Sequence, residues 1–118
     1  MIFATRAQVD AIPPGDLPAF VNAHLDYDDQ LNASGNLIAS EGLESSDKAV
    51  VVRMRKGKLS VTDGPFIETN EQLGGFYLVD AGSDDEAMHI AAGIPSVRVG
   101  SIEVRPVLAQ HDTAEDAR

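Results

Sequence analysis

Phe76, Tyr77, Leu78 and Val79 are apolar at four successive positions, and Ile2 and Phe3 repeat the pattern near the N-terminus. Side chains on a strand alternate between the two faces of a sheet, so runs of this kind ask for burial on both faces. Elsewhere the chain offers two segments with the period of a helix of useful length. Two such helices cover one face of a small sheet and leave the other bare. The economical cover for the second face is another copy of the chain, so a homodimer is expected.

Taken in order, residues 1–5 form a short apolar run without helical period and read as a strand. Residues 6–15 read as a loop, with Pro13-Pro14-Gly15 as its strongest breaker. Asp16 is placed to cap a helix over residues 17–34, where Pro18 suits the first turn and Gly35 the C-terminal stop. Leu17, Phe20, Val21, His24, Tyr27 and Leu31 recur at spacings of three and four and form its apolar stripe. A second strand is expected over residues 36–43, then a hairpin of residues 48–55 and 58–62 around Lys56-Gly57. Glu71-Gln72-Leu73 suits a helical turn before Gly74-Gly75, a pair that fits a bulge or a close backbone approach, and a strand over 76–80. Ser83, with Glu86 three residues on, matches a capping box for a second helix. That helix carries Ala87, Ile90, Ala91 and Ile94 on one face and ends near Gly93, ahead of Pro95. Residues 102–105 read as the last strand. The whole is an α+β pattern with antiparallel pairing.

At 118 residues the chain fits one domain, over residues 1–108. Residues 109–118 have almost no apolar content and read as a disordered tail. There is no cysteine, which excludes disulfides, a thiolate nucleophile and a cysteine-based zinc site. Nineteen acidic against nine basic residues, a net charge of −10, argue against nucleic acid and anionic membranes as direct ligands. The opening residues lack the basic start and apolar run of a signal peptide, and no apolar stretch approaches a membrane span. A soluble cytoplasmic protein is expected.

The hairpin leads into Asp63-Gly64-Pro65-Phe66-Ile67-Glu68. Asp63 can accept a backbone N–H, Pro65 fixes its own φ, and Phe66 brings a ring to bury, so the loop is stiff and points carboxylates in one direction. The run from Asp63 to Phe76, D-G-P-F-I-E-T-N-E-Q-L-G-G-F, resembles the motif of the DGPF-domain proteins within the YCII-related family. Leu37-Ile38-Ala39-Ser40-Glu41-Gly42-Leu43, Arg53, Ile94-Pro95 and Glu103-Val104-Arg105-Pro106 extend the resemblance over nearly the whole chain. It implies a ferredoxin-like antiparallel sheet with two helices on one face, pairing as a dimeric α/β barrel. Asn70 stands where such proteins usually carry lysine, which removes a positive charge from a ligand's reach. Several DGPF proteins are encoded with, or fused to, extracytoplasmic-function sigma factors, so a sigma factor is implied as a partner by family analogy.

His24 is the leading candidate for chemistry. It lies on the apolar stripe with Asp28 four residues on, within side-chain reach along a helix. A carboxylate that orients an imidazole makes a general acid/base pair. In YciI-type relatives the proposed site instead pairs a histidine of this helix with an aspartate near the end of the first strand, and here Arg6 occupies that region. The alternative is a half-buried histidine whose nitrogens are satisfied within the fold.

Asp63, Phe66 and Glu68, with Arg53 and Arg105, form the candidate ligand-binding set. Its alternative is structural, with Asp63 fixing a turn and Arg53, Arg55 and Arg105 paired to Glu103 and Glu68. No spacing supports a metal cage, a phosphate-cradling loop or a cofactor motif. Two function classes follow. One is an enzyme acting without a cofactor on a small organic molecule, aromatic or lactone-like, with His24 moving protons. The other is a ligand-sensing or protein-binding module associated with sigma-factor regulation.

Overall fold

The structure is a computed structural model and describes residues 1–65 and 70–108. The elements are β1 (Ile2–Thr5), α1 (Arg6–Asp10), α2 (Leu17–Ala33), β2 (Leu37–Gly42), β3 (Val50–Arg55), β4 (Lys58–Asp63), β5 (Glu71–Val79), α3 (Asp84–Gly93) and β6 (Ser101–Ile102). Four strands form an antiparallel sheet in the order β2-β5-β1-β6, and β3 pairs only with β4 in a separate two-stranded sheet. With the hairpin and the short α1 set aside, the path is strand, helix, strand, strand, helix, strand. That path and strand order make the fold ferredoxin-like.

The two faces of the sheet differ. Ser40 stands opposite Tyr77, and its hydroxyl donates to Asp28 Oδ2 of α2 at 2.9 Å, so α2 covers the Tyr77 face. Tyr27 of α2 brings its ring within 6.3 Å of the Tyr77 ring and donates its hydroxyl to the Ile90 carbonyl of α3 at 2.6 Å. Phe76 and Leu78 alternate to the opposite face, with Ala39 and Glu41 beside them on β2. Phe3 and Leu73, a facing pair, lie on that face too. Among the described residues no helix covers it, and only Leu31, Ile90 and Ile94 are buried large apolar side chains.

Several local expectations are corrected. Residues 6–10, read as loop, form α1, because Thr5 and Gln8 make a reciprocal capping box: Gln8 N–H donates to Thr5 Oγ1 at 3.0 Å and Thr5 N–H to Gln8 Oε1 at 2.9 Å. Asp16 caps nothing, since a 3-10 turn over Pro14–Asp16 already holds it in helical backbone and its carboxylate makes no cap hydrogen bond. The stripe of α2 is narrower than its spacing implied. Leu31 is buried and Phe20, His24 and Tyr27 half-buried, whereas Leu17 and Val21 are exposed.

Glu71-Gln72-Leu73 is strand and not a helical turn. Thr5, Ala4 and Phe3 pair with Glu71, Gln72 and Leu73, and a ladder of backbone hydrogen bonds outweighs a local turn preference. The register then slips so that Ile2 faces Gly75, leaving Gly74 as the extra residue of a bulge. At α3 the Ser83 hydroxyl accepts the Glu86 N–H at 3.1 Å, but the Glu86 carboxylate does not complete the box. It accepts instead from the Gly82 N–H at 3.0 Å and the Asn36 amide at 2.8 Å, tying α3 to the start of β2. The last strand covers only Ser101–Ile102, and residues 103–108 have no regular structure. The expected tail, residues 109–118, lies outside the described residues.

Candidate functional site

His24 lies in the middle of α2 and is half-buried. Its Nδ1 is 2.9 Å from the Phe20 carbonyl oxygen one turn back, and its Nε2 is 2.6 Å from Ser96 Oγ. A carbonyl oxygen only accepts, so Nδ1 carries a hydrogen. In the neutral ring Nε2 therefore holds a lone pair, and the Ser96 hydroxyl donates to it. The Phe20 ring meets the imidazole edge-on, with centroids 4.6 Å apart, and limits its rotation.

Ser96 sits in a 3-10 turn, Pro95–Arg98, that follows α3. It is only 8% exposed. Its carbonyl accepts the N–H groups of Val99 at 3.1 Å and Gly100 at 2.9 Å, which fixes the turn. Gly100 is required here, because a Cβ at that position would run into the Phe3 carbonyl oxygen of β1. The close approach of Gly100 to β1 is what sets Ser96 against α2.

An open cleft of about 1250 Å³ lies against this arrangement. Its walls include Ser96, Phe20, Arg6, Asp47 and Asn70, with Ile2 and Ala4 of β1 contributing apolar surface. Arg6 Nη2 and Asp47 Oδ2 pair at 2.7 Å on the exposed rim. This hydrogen bond and its charge raise the Arg6 guanidinium above its ordinary pKa and hold the Asp47 carboxyl below its own. His24 itself does not line the cleft; Ser96, to whose hydroxyl it is hydrogen-bonded, does. The site thus combines an imidazole oriented by a backbone carbonyl, a hydroxyl hydrogen-bonded to it, an ion pair and an apolar wall.

The YCII-related domain matches residues 4–110. The chain belongs to the YCII-related family. It is also 42% identical over 76 residues to an uncharacterised protein of Rhizobium meliloti (strain 1021), an overlap of 63% of this chain and 61% of that relative. The chain therefore spans less than two thirds of the length of that curated relative.

In this YCII-related chain the remaining candidates are dispersed. Asp28, expected beside His24, turns towards the sheet: Oδ2 accepts from Ser40, and Oδ1 is buried without a hydrogen-bond partner among the described residues. Burial first, then the neighbouring Asp28 carboxylate, holds the Tyr77 hydroxyl well above the ordinary tyrosine range, and burial also raises that of Tyr27. The four-residue spacing brought His24 and Asp28 within reach, but each found a different partner across the fold.

Arg105 pairs with Glu103 at 2.6 Å, the structural alternative for that arginine. Arg53 stands opposite Ser60, and Asp63 opposite Val50, on the separate hairpin. Arg53, Asp63 and Arg105 do not line the cleft, and Phe66 and Glu68 lie outside the described residues. Asn70 does line it. Ser96 had no signal of its own in the sequence, since it is separated from His24 by 72 positions. The one hint was the stop at Ile94-Pro95 that ends α3. Among the described residues no group of three or more His, Asp or Glu side chains is gathered for a metal ion. No helix of the described residues is long and apolar enough to cross a membrane.

Proposed function

We propose that this protein is an acid/base enzyme for a small organic molecule, acting as a homodimer, in which His24 exchanges a proton with the ligand through Ser96. The observation that carries this reading is the 2.6 Å contact of His24 Nε2 with the hydroxyl of Ser96, a residue that lines the cleft. A ligand O–H or activated C–H set against Ser96 Oγ gives its proton to that oxygen while the Ser96 proton passes to Nε2. The ring becomes an imidazolium that keeps its hydrogen bond to the Phe20 carbonyl, and the return of the proton completes the cycle. Ile2, Ala4 and Phe20 suit an aromatic or lactone-like body, and Arg6 and Asn70 suit its polar groups. The homodimer is supported by burial: three buried large apolar side chains among the described residues are few for a chain of this length.

The test is turnover. A panel of small lactones and aromatic carbonyl compounds is incubated with the full chain and followed by proton NMR, including deuterium uptake from heavy water. The expected result is conversion or exchange that falls about 100-fold or more in His24→Gln. Equal turnover by His24→Gln would sink the acid/base reading. Compounds that bind without conversion or exchange support the second reading, a ligand-sensing or protein-binding module in sigma-factor regulation. That reading draws on the openness of the same cleft, whose charged groups can hold a ligand without a proton leaving it.

A further inference from the structure

The hairpin of β3 and β4 is a two-sided ribbon. Val50, Val52 and Met54 alternate on β3, and the register sets Val52 opposite Val61 and Met54 opposite Leu59. Facing residues share a side of the ribbon, so these five side chains form an apolar face, with Asp63, opposite Val50, at its end away from the turn. Each is between 55% and 64% exposed. The other face carries Arg53 and Arg55, with Ser60 and Lys58 opposite them. An uncovered two-stranded ribbon is marginally stable at best in water, so this face needs a cover.

Charge says what the cover is. Lys48, Arg53, Arg55, Lys56 and Lys58 are five of the nine basic residues, and residues 48–58 contain no Asp or Glu. Residues 48–58 are therefore +5, and the remaining four basic and nineteen acidic residues leave the rest of the chain, Asp63 at the end of β4 included, at −15. A basic arm with an exposed apolar face and an acidic body whose half-buried Phe3, Phe76 and Leu78 lie under no helix of the described residues are complementary. On that body Glu41 shares the open face with Phe76, and Glu71, opposite Thr5, shares it with Phe3 and Leu73.

We infer that the β3–β4 hairpin is an arm that docks its Val52–Met54–Leu59–Val61 face on the acidic, open sheet face of a second copy of this chain. The inference rests on the homodimer proposed above and names the element that holds it together. Because the exchange is reciprocal, each copy gives an arm and receives one, which closes the assembly at two. Five large side chains more than half exposed present apolar surface on the order of 500 Å². Two reciprocal contacts, counting both sides, bury roughly 2000 Å², the size of a stable dimer interface.

All three lysines of the chain, Lys48, Lys56 and Lys58, lie on or beside the arm, so zero-length carbodiimide cross-linking reports almost solely on where the arm goes. A 1:1 mixture of nitrogen-14 and nitrogen-15 full-length protein is cross-linked and analysed by mass spectrometry. The expected result is mixed-isotope peptides that join Lys56 or Lys58 to Glu41 or Glu71. Links within one isotope only, or mixed links confined to Asp47 before the hairpin and Asp63 at the end of β4, overturn the arm while leaving a dimer by the sheet alone standing. In parallel, the double variant Val52→Asp with Val61→Asp, at positions already exposed, is expected to raise the dimer dissociation constant at least 100-fold in sedimentation with an unchanged circular dichroism spectrum. A variant that dimerises as tightly as the natural chain overturns the arm. A natural chain that sediments as a monomer at micromolar concentration overturns both the arm and the homodimer.

Discussion

Ser96 Oγ stands 2.6 Å from His24 Nε2 although 72 residues of chain separate them, and the same imidazole is anchored at Nδ1 by its own helix at the Phe20 carbonyl. One nitrogen is held by local helix geometry and the other by the turn that follows α3. Ser96→Ala keeps the volume nearly unchanged and removes only the donor. It leaves Nε2 unsatisfied in a half-buried place, and a loss of about 1–2 kcal/mol in urea-monitored stability is expected. Nitrogen-15 NMR of the imidazole should show the Nδ1–H tautomer in the natural chain and weakened tautomer preference in the variant.

Tyr77 makes stability depend on alkaline pH. Its folded pKa is raised above the ordinary value of 10.0 by burial and by Asp28. Below pH 10 the hydroxyl is protonated in both folded and unfolded chains, and the contribution is fully present. As pH rises beyond 10 the unfolded chain loses the proton first, so folding is progressively disfavoured as the folded pKa is approached. Thermal melts between pH 8 and 11.5 should show a decline above pH 10 that is reduced in Tyr77→Phe. The remaining slope belongs in part to Tyr27, whose pKa is raised in the same direction.

Asn70 lies on the cleft wall at the position where the family resemblance implies lysine. Asn70→Lys puts a cation back where a ligand's negative charge would sit. Calorimetric titration with benzoate is expected to show about 3- to 10-fold tighter binding to the variant at low salt, with the gain shrinking as ionic strength rises. An affinity unchanged by the substitution would mean that anions do not reach this wall.

Much of the architecture was legible before any coordinates. The α2 helix, the Lys56-Gly57 hairpin turn, with both residues at positive φ, and the apolar face of α3 all follow from short-range pattern, because period and turn chemistry act within a few residues. Even α1 was written locally, in the Thr5–Gln8 capping box. The segment at Glu71 was not, since its strand character comes from pairing with β1 some seventy residues earlier in the chain. The candidate site divides in the same way: His24 was visible as a histidine on an apolar stripe, while its partner was not.

The sequence by itself determined most of the element types, the α+β class, the family resemblance and a sheet with more apolar surface than two helices can shelter. Tertiary structure alone decided that His24 meets Ser96 while Asp28 meets Ser40, and that Asn70 faces the cleft while Arg53 does not. The physical reason is one of range. Backbone propensity and side-chain period are summed over neighbours along the chain, whereas a hydrogen bond of 2.6 Å depends on where the Gly100 contact with β1 lets a distant turn come to rest.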